Sequence, residues 1–313
     1  MRAVRVIDGR VAAIEMEAPG NGPYILRVAR AGICGSDLHM VDAGIARVVL
    51  GHEFGGWLPD GRLVAVRPTG ECGTCVPCTT GVQTGCPLCW STAYGISADG
   101  GLAEHIVVTP DRVHPMGPAA RPEDAALVEP LAISWHGVRR AGVEPGMTSL
   151  IVGAGSIGLL TVAALRARGL DVDIVARHAH QAVAAERLGA RVVEAPGAGA
   201  YPRVFDAVCT QQTFDACARA AAPGGSILEY GMFWTPVTMS NDLLFKEVSV
   251  VPAMGYSHDA GHDDFAESAA HLSVHPEVTD ALVTHVFPLA DAAEAFRVAA
   301  DRGSGSIKVH LVP

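Results

Sequence analysis

Thr148–Leu160 reads TSLIVGAGSIGLL, and this stretch decides the fold. An apolar run, TSLIV, leads directly into Gly153-Ala154-Gly155-Ser156-Ile157-Gly158, after which the spacing becomes helical. The first glycine permits a tight turn, the second lets backbone approach a pyrophosphate, and the third allows helix and strand to pack closely. The free amides at the helix start, at Ser156 and Ile157, then face the phosphates. A bare Gly-x-Gly-x-x-Gly says little. Here a strand precedes it, a helix follows, and a second strand, DVDIVA, comes at the right distance.

Working outward, strand and helix alternate on the C-terminal side: DVDIVA, a helix through Leu188, RVV, FDAVC, an alanine-rich helix, SILEYG and EVSVV. Nearly all-apolar strands in this alternation predict a parallel, doubly wound sheet covered on both faces, an α/β fold. On the N-terminal side, PEDAALVEPLAISWHGVRRAG carries helical spacing, with Pro130 in a first turn and Gly142 as a stop. Before residue 120 the chain reads instead as short strands and turns: MRAVRVI, RVAAIE, YILRVARAGI, RLVAVRP and EHIVV. After Tyr256 come a helix, the strand ALVTHVFPL, another helix and a last strand, SIKVHLV. That tail has no place in a completed six-strand sheet, so it is expected to return to the first domain. The expected division is 1–122, 123–256 and 257–313.

The chain has 313 residues, 49% of them apolar and 18% charged, enough for two cored domains and too apolar for general disorder. With 23 basic against 33 acidic residues, its net charge is −10. No basic stripe exists to neutralise phosphates, which argues against a nucleic-acid partner. The first ten residues carry four charges and do not form a signal peptide, and Thr148–Leu165 is broken by glycines and too short to span a bilayer. A cytoplasmic protein is expected. Lys246 and Lys308 are the only lysines, so Schiff-base chemistry is disfavoured, and no tyrosine has a lysine four residues on.

Eight cysteines in such a chain point to thiolate or metal chemistry rather than a disulfide framework. Cys72, Cys75, Cys78 and Cys86 form Cys-x2-Cys-x2-Cys-x7-Cys, in which short spacers let one loop wrap a tetrahedral zinc. Four thiolates leave no open position, so this site is structural. Cys89 reads as a bystander, and Cys209 and Cys217 as core or near-cofactor thiols. A more dispersed set comprises Cys34 and Asp37 in GICGSDLHM, His52 and Glu53 in GHEFGG, and Glu129 in VEPLA. Cysteine, histidine and carboxylate suit a zinc ion with three protein ligands and an open position. Adjacent residues of an extended segment face opposite ways, so His52 and Glu53 share one ion only if the glycine-flanked chain turns there.

GICGSDLH, GHEFGG, the cysteine quartet, GLAEHIVV, EPLAISWHG, GAGSIG and SIKVHLV occur in one order along the whole chain. In this the chain resembles the zinc-containing medium-chain alcohol and polyol dehydrogenases. The resemblance implies a GroES-like β-barrel catalytic domain interrupted by a Rossmann domain, and a homodimer or homotetramer. It puts the catalytic zinc on Cys34 and His52, with Glu53 or Glu129 as third ligand and the other glutamate holding metal-bound water. It makes Ser36 and His39 the proton relay and Asp37 a loop-holding carboxylate, and adds Lys308 in the closing strand to the cofactor-binding residues. The stretches from His39 to Gly51 and from Glu53 to Cys72 are shorter than usual in that family. Those loops wall the substrate pocket, so no particular substrate carries over.

The expected activity is hydride transfer between a nicotinamide and a secondary alcohol, polyol or sugar-like substrate, with one catalytic and one structural zinc. The alternatives are a biosynthetic reductase of an iminium or enone, and a non-enzymatic zinc-stabilised interaction protein. The cofactor is expected to be NADP rather than NAD. At the end of DVDIVA, where a carboxylate would hold the adenosine ribose, stand Ala176 and then Arg177, whose guanidinium can pair with a 2′-phosphate.

Overall fold

The computed structural model describes residues 1–259 and 261–313. The chain forms two compact units, Met1–Glu129 with Ser257–Pro313, and Pro130–Tyr256. Among the described residues no helix is long and apolar enough to cross a membrane.

The second unit is a six-stranded parallel sheet. Across it the order is Arg191–Val192, Asp171–Val175, Thr148–Val152, Tyr201–Asp206, Ala221–Glu229 and Ser249–Pro252. Numbered along the chain this is 3-2-1-4-5-6, the doubly wound order, whose reversal between the first and fourth strands opens a crevice at the strands' carboxyl ends. The strands are mostly apolar where both faces are covered: Leu150, Ile151, Ile174, Phe205 and Ile227 are all solvent-inaccessible. Each such side chain contributes roughly 1.5–3 kcal/mol by leaving water.

The first unit is built on a seven-stranded, mostly antiparallel sheet. Val283–Pro288, Lys308–Val312, Tyr24–Gly32, Glu53–Trp57, Leu63–Val66 and Val113–Pro115 follow in that order, and His105–Val108 also pairs with Tyr24–Gly32. The last strand of the chain thus lies beside Tyr24–Gly32, with His310 opposite Gly32. Leu26, Val28, Phe54, Val64, Leu102, Val108 and Leu311 make the core beneath.

Three elements differ from the sequence reading. Glu53–Trp57 is a strand, although Gly55 and Gly56 lower its intrinsic tendency. A Cβ on Gly56 would run into the Arg27 carbonyl, so the glycine is there for close strand approach. The segment from Pro122 splits into helices Pro122–Ala125 and Val128–Ala141, the second placing Pro130 in its first turn, where no N–H is needed. The FDAVC strand ends at Asp206, whose carboxylate accepts the backbone N–H groups of Val208 and Cys209 and turns the chain out of the sheet.

Candidate metal centre and cofactor turn

Cys34 precedes the helix Gly35–Asp42, and its N–H donates to Asp37 Oδ2 at 2.9 Å. That bond pins the start of the helix, with Ser36 in its first turn and His39 exposed further along. Gly51, at φ +94°, turns the chain immediately before His52, and the strand begins only at Glu53. His52 therefore lies outside the strand, and the alternation that would separate it from Glu53 does not apply. The ligand atoms of Cys34, His52 and Glu53 lie within 4.8 Å of one another.

Each member of this set is held by a neighbour. His52 Nδ1 is 3.4 Å from Asp37 Oδ1, and its Nε2 is 3.2 Å from Ser36 Oγ. Lys308 Nζ donates to Glu53 Oε1 at 2.8 Å and Oε2 at 2.7 Å, and to the Ile33 carbonyl at 3.2 Å. The pairing is a consequence of register: Gly32 stands between Glu53 on one neighbouring strand and His310 on the other. A side chain on Gly32 would occupy the space of the Glu53 carboxylate.

Lys308 is thus not available as the sequence reading expected. All three ammonium donors are used inside the first unit, and the side chain is buried, so none remains for a cofactor phosphate.

The electrostatics ask for a cation. Burial pushes the Glu129 carboxyl up to about 8, with Glu53 and Asp37 adding to this and His52 and Lys308 opposing it, and Glu129 Oε2 has no hydrogen-bond partner among the described residues. Burial alone would lower the pKa of His52, but the charges and hydrogen bonds of Asp37 and Cys34 outweigh it and raise it well above its ordinary value. The half-buried Cys34 thiol with the buried His52 imidazole and Glu53 carboxylate fits zinc in chemistry and in number, whereas Glu129 lies outside this converging set.

The cysteine quartet also converges. Cys72, Cys75, Cys78 and Cys86 bring their sulfurs within 4.8 Å of one another. The short helix Val76–Thr79 starts at Cys75 and returns Cys78 to it, with the two sulfurs 3.5 Å apart. Backbone N–H groups of Thr74 and Cys75 directed at Cys72 lower that thiol to about 6, which prepares a thiolate. Cys89 is buried beside Cys78 and Cys86 but outside the converging set, and burial raises its thiol to about 11.

In the second unit Gly153 adopts φ +102°, and Gly155 precedes the helix Ser156–Arg166. A Cβ at Gly158 would overlap the Gly153 carbonyl, the close packing expected of the third glycine. Ser156 and Ile157 are half-buried at the helix start. Asp173 stays within its strand, bound to Arg191 at 2.6 Å and to the Tyr201 hydroxyl at 2.7 Å. Ala176 and exposed Arg177 follow the end of that strand.

Sequence reasoning missed two supports. Asp37 holds His52 as well as its own loop, and Lys308 neutralises Glu53. A carboxylate spaced three residues after a candidate ligand was a visible signal for the first. The second depends on strand order and had none.

Residues 20–118 match the family model of the alcohol dehydrogenase GroES-like domain, and residues 156–273 that of zinc-binding dehydrogenases. An L-galactonate-5-dehydrogenase of Escherichia coli K12 is 30% identical over 309 residues, covering 90% of this chain and 89% of the relative. A D-altritol 5-dehydrogenase of Agrobacterium fabrum is 29% identical, covering 95% of each chain. A protein described as a zinc-binding dehydrogenase from Sinorhizobium meliloti 1021, solved bound to NADP, superposes with a TM-score of 0.88 at 27% identity, covering 100% of this chain and 99% of that one.

Proposed function

The chain belongs to the zinc-containing medium-chain alcohol and polyol dehydrogenases, enzymes of NAD(P)-dependent alcohol oxidoreduction, and we propose that it acts on a secondary alcohol of a polyol or sugar-like substrate with NADP(H) as cofactor. This sets aside a non-enzymatic zinc-stabilised role. The observation that carries the reading is the convergence of Cys34, His52 and Glu53. We assign Cys34, His52 and Glu53 as ligands of the catalytic zinc, Glu129 as the group facing its open position, and the cysteine quartet as ligands of a structural zinc.

When bound, zinc supplies Lewis acidity that lowers the pKa of a substrate hydroxyl. The chain's own groups do the rest. Asp37 Oδ1 lies 3.4 Å from Nδ1 of His52, so Nε2, which faces Ser36 Oγ at 3.2 Å, would be the atom that turns to metal. Lys308 balances the charge of Glu53. Ser36, half-buried and three residues ahead of exposed His39 on one helix, would take the substrate proton and pass it by way of His39 to solvent. The amides after Gly155 hold the pyrophosphate. NADP(H) is favoured because no carboxylate follows the second strand, while Arg177 is exposed there; the Sinorhizobium relative was solved with that cofactor.

The test is a panel of polyols, sugar acids, simple alcohols and their ketones, run in both directions with both cofactors and with metal analysis. Turnover of polyols or sugar acids that is lost in Cys34→Ala, while cofactor binding persists, is expected. Undiminished turnover by Cys34→Ala would overturn the assignment of the catalytic zinc.

A further inference from the structure

The second unit carries a cluster that none of this chemistry uses. Asp206 and Glu229 end adjacent parallel strands and are direct partners in register, so their carboxylates stand side by side at the carboxyl edge of the sheet. Asp206 Oδ1 accepts the N–H groups of Val208 and Cys209, each at 2.9 Å, and Oδ2 accepts the Thr213 hydroxyl at 2.9 Å. The resulting turn puts Cys209 at φ +60°, a conformation costly for a side chain other than glycine. It aims the Cys209 sulfur back at the strand ends, where the Gly231 N–H donates to it at 3.1 Å. One ligand atom from each of Asp206, Cys209 and Glu229 lies within 4.8 Å of the others.

All three side chains are buried, Asp206 to 0% exposure, Glu229 to 5% and Cys209 to 7%. Among the described residues neither oxygen of Glu229 has a hydrogen-bond partner. The groups acting on the two carboxylates are each other, Cys209, Thr213 and backbone amides, and none is cationic. Paired like charges are unfavourable on a sheet even at the surface, and in the interior an uncompensated ion costs several kcal/mol. Such a pair is relieved by a proton or by a cation. The sulfur, which accepts from the Gly231 N–H and lies 3.5 Å from the Asp206 carbonyl, stands at the same point and supplies the third ligand atom such a cation needs.

We propose that Asp206, Cys209 and Glu229 form a third metal site, for a borderline-soft divalent ion such as zinc, at the carboxyl edge of the parallel sheet. Thiolate with two carboxylates suits zinc or cobalt and not magnesium or calcium. Bonds of ~2.0–2.3 Å put tetrahedral ligand atoms roughly 3.5 Å apart, so small side-chain movements close the present spacing. Without a cation, burial holds Glu229 up at about 8 and raises the Cys209 thiol further, so binding displaces protons from the cluster. Asp206 is also the register partner of Val152, the residue before Gly153, which puts the site at the edge of the dinucleotide crevice.

The experiment is cobalt titration of the metal-depleted chain and of Cys209→Ser and Glu229→Gln, reading bound metal and the thiolate-to-cobalt charge-transfer band. Comparing variants with parent makes the result independent of whether the other two sites fill. The parent is expected to bind one more equivalent than either variant, and Cys209→Ser to lose one thiolate's share of the band. Glu229→Gln keeps the shape and removes a buried charge, so it folds even if the cysteine variant does not. Equal stoichiometry in parent and Glu229→Gln would overturn the site and leave a proton-sharing carboxyl pair.

Discussion

Lys308 and Glu53 form a bidentate ion pair with both side chains almost wholly removed from water, the ammonium 2.7 and 2.8 Å from the two carboxylate oxygens. Burial alone would lower the lysine's pKa, but Glu53 outweighs it and the net shift is upward. The pair's contribution is therefore complete at neutral pH and lost only as pH rises through the raised value. In the metal-depleted chain, replacing Lys308 by Met leaves a buried carboxylate without its partner, an expected cost of ~3–5 kcal/mol. Urea denaturation of Lys308→Met against Lys308→Met/Glu53→Gln checks this: the double variant recovers much of the loss. A single variant as stable as the parent would show that the ion pair contributes nothing.

Asp37 and Cys75 separate the two proposed zinc sites. Asp37→Asn weakens the hold on His52 and is expected to lower metal affinity at the Cys34 site by ~10–100-fold, leaving the quartet filled. Cys75→Ser is expected to release the structural zinc and lower the melting temperature, because such loops fold around their metal. Metal analysis after dialysis against a weak chelator distinguishes them. Loss of both ions in either variant would mean that the sites are not independent.

Cofactor choice rests on Ala176 and Arg177. Ala176→Asp/Arg177→Ile is expected to cut kcat/KM for NADPH by roughly 10–100-fold, the worth of charge-assisted hydrogen bonds of ~1.5–3 kcal/mol, and to improve use of NADH. Steady-state kinetics with both cofactors measures it. Unchanged preference in the variant refutes the role given to Arg177.

His310 sits in the last strand with no solvent exposure, and among the described residues neither ring nitrogen has a hydrogen-bond partner. Burial, then the charges of Lys308 and Arg30, push its pKa down to about 3 from 6.5. Between those values the unfolded chain binds the proton and the folded chain does not, so stability falls as pH falls, by ~1.4 kcal/mol per unit. His310→Leu is expected to flatten that part of the stability–pH curve and to add ~1–3 kcal/mol at neutral pH by removing an unsatisfied polar group. An identical curve for the variant would show that His310 is hydrated or charged in the folded state.

Some of this protein was determined by local sequence alone. Gly153, Gly155 and Gly158 need only a strand before them and a helix after them, and both are written in adjacent residues. The cysteine quartet spans fifteen residues, from Cys72 to Cys86, and its spacing suffices to wrap one ion. Tertiary structure decided the rest. Lys308 meets Glu53 because two strands 255 residues apart in sequence flank Gly32, and no local pattern encodes that neighbour. Asp206 and Glu229 likewise become partners only through the order of parallel strands. Short-range signals report backbone conformation and local wrapping; which charges share a buried space depends on strand order and register, which only the folded sheet fixes.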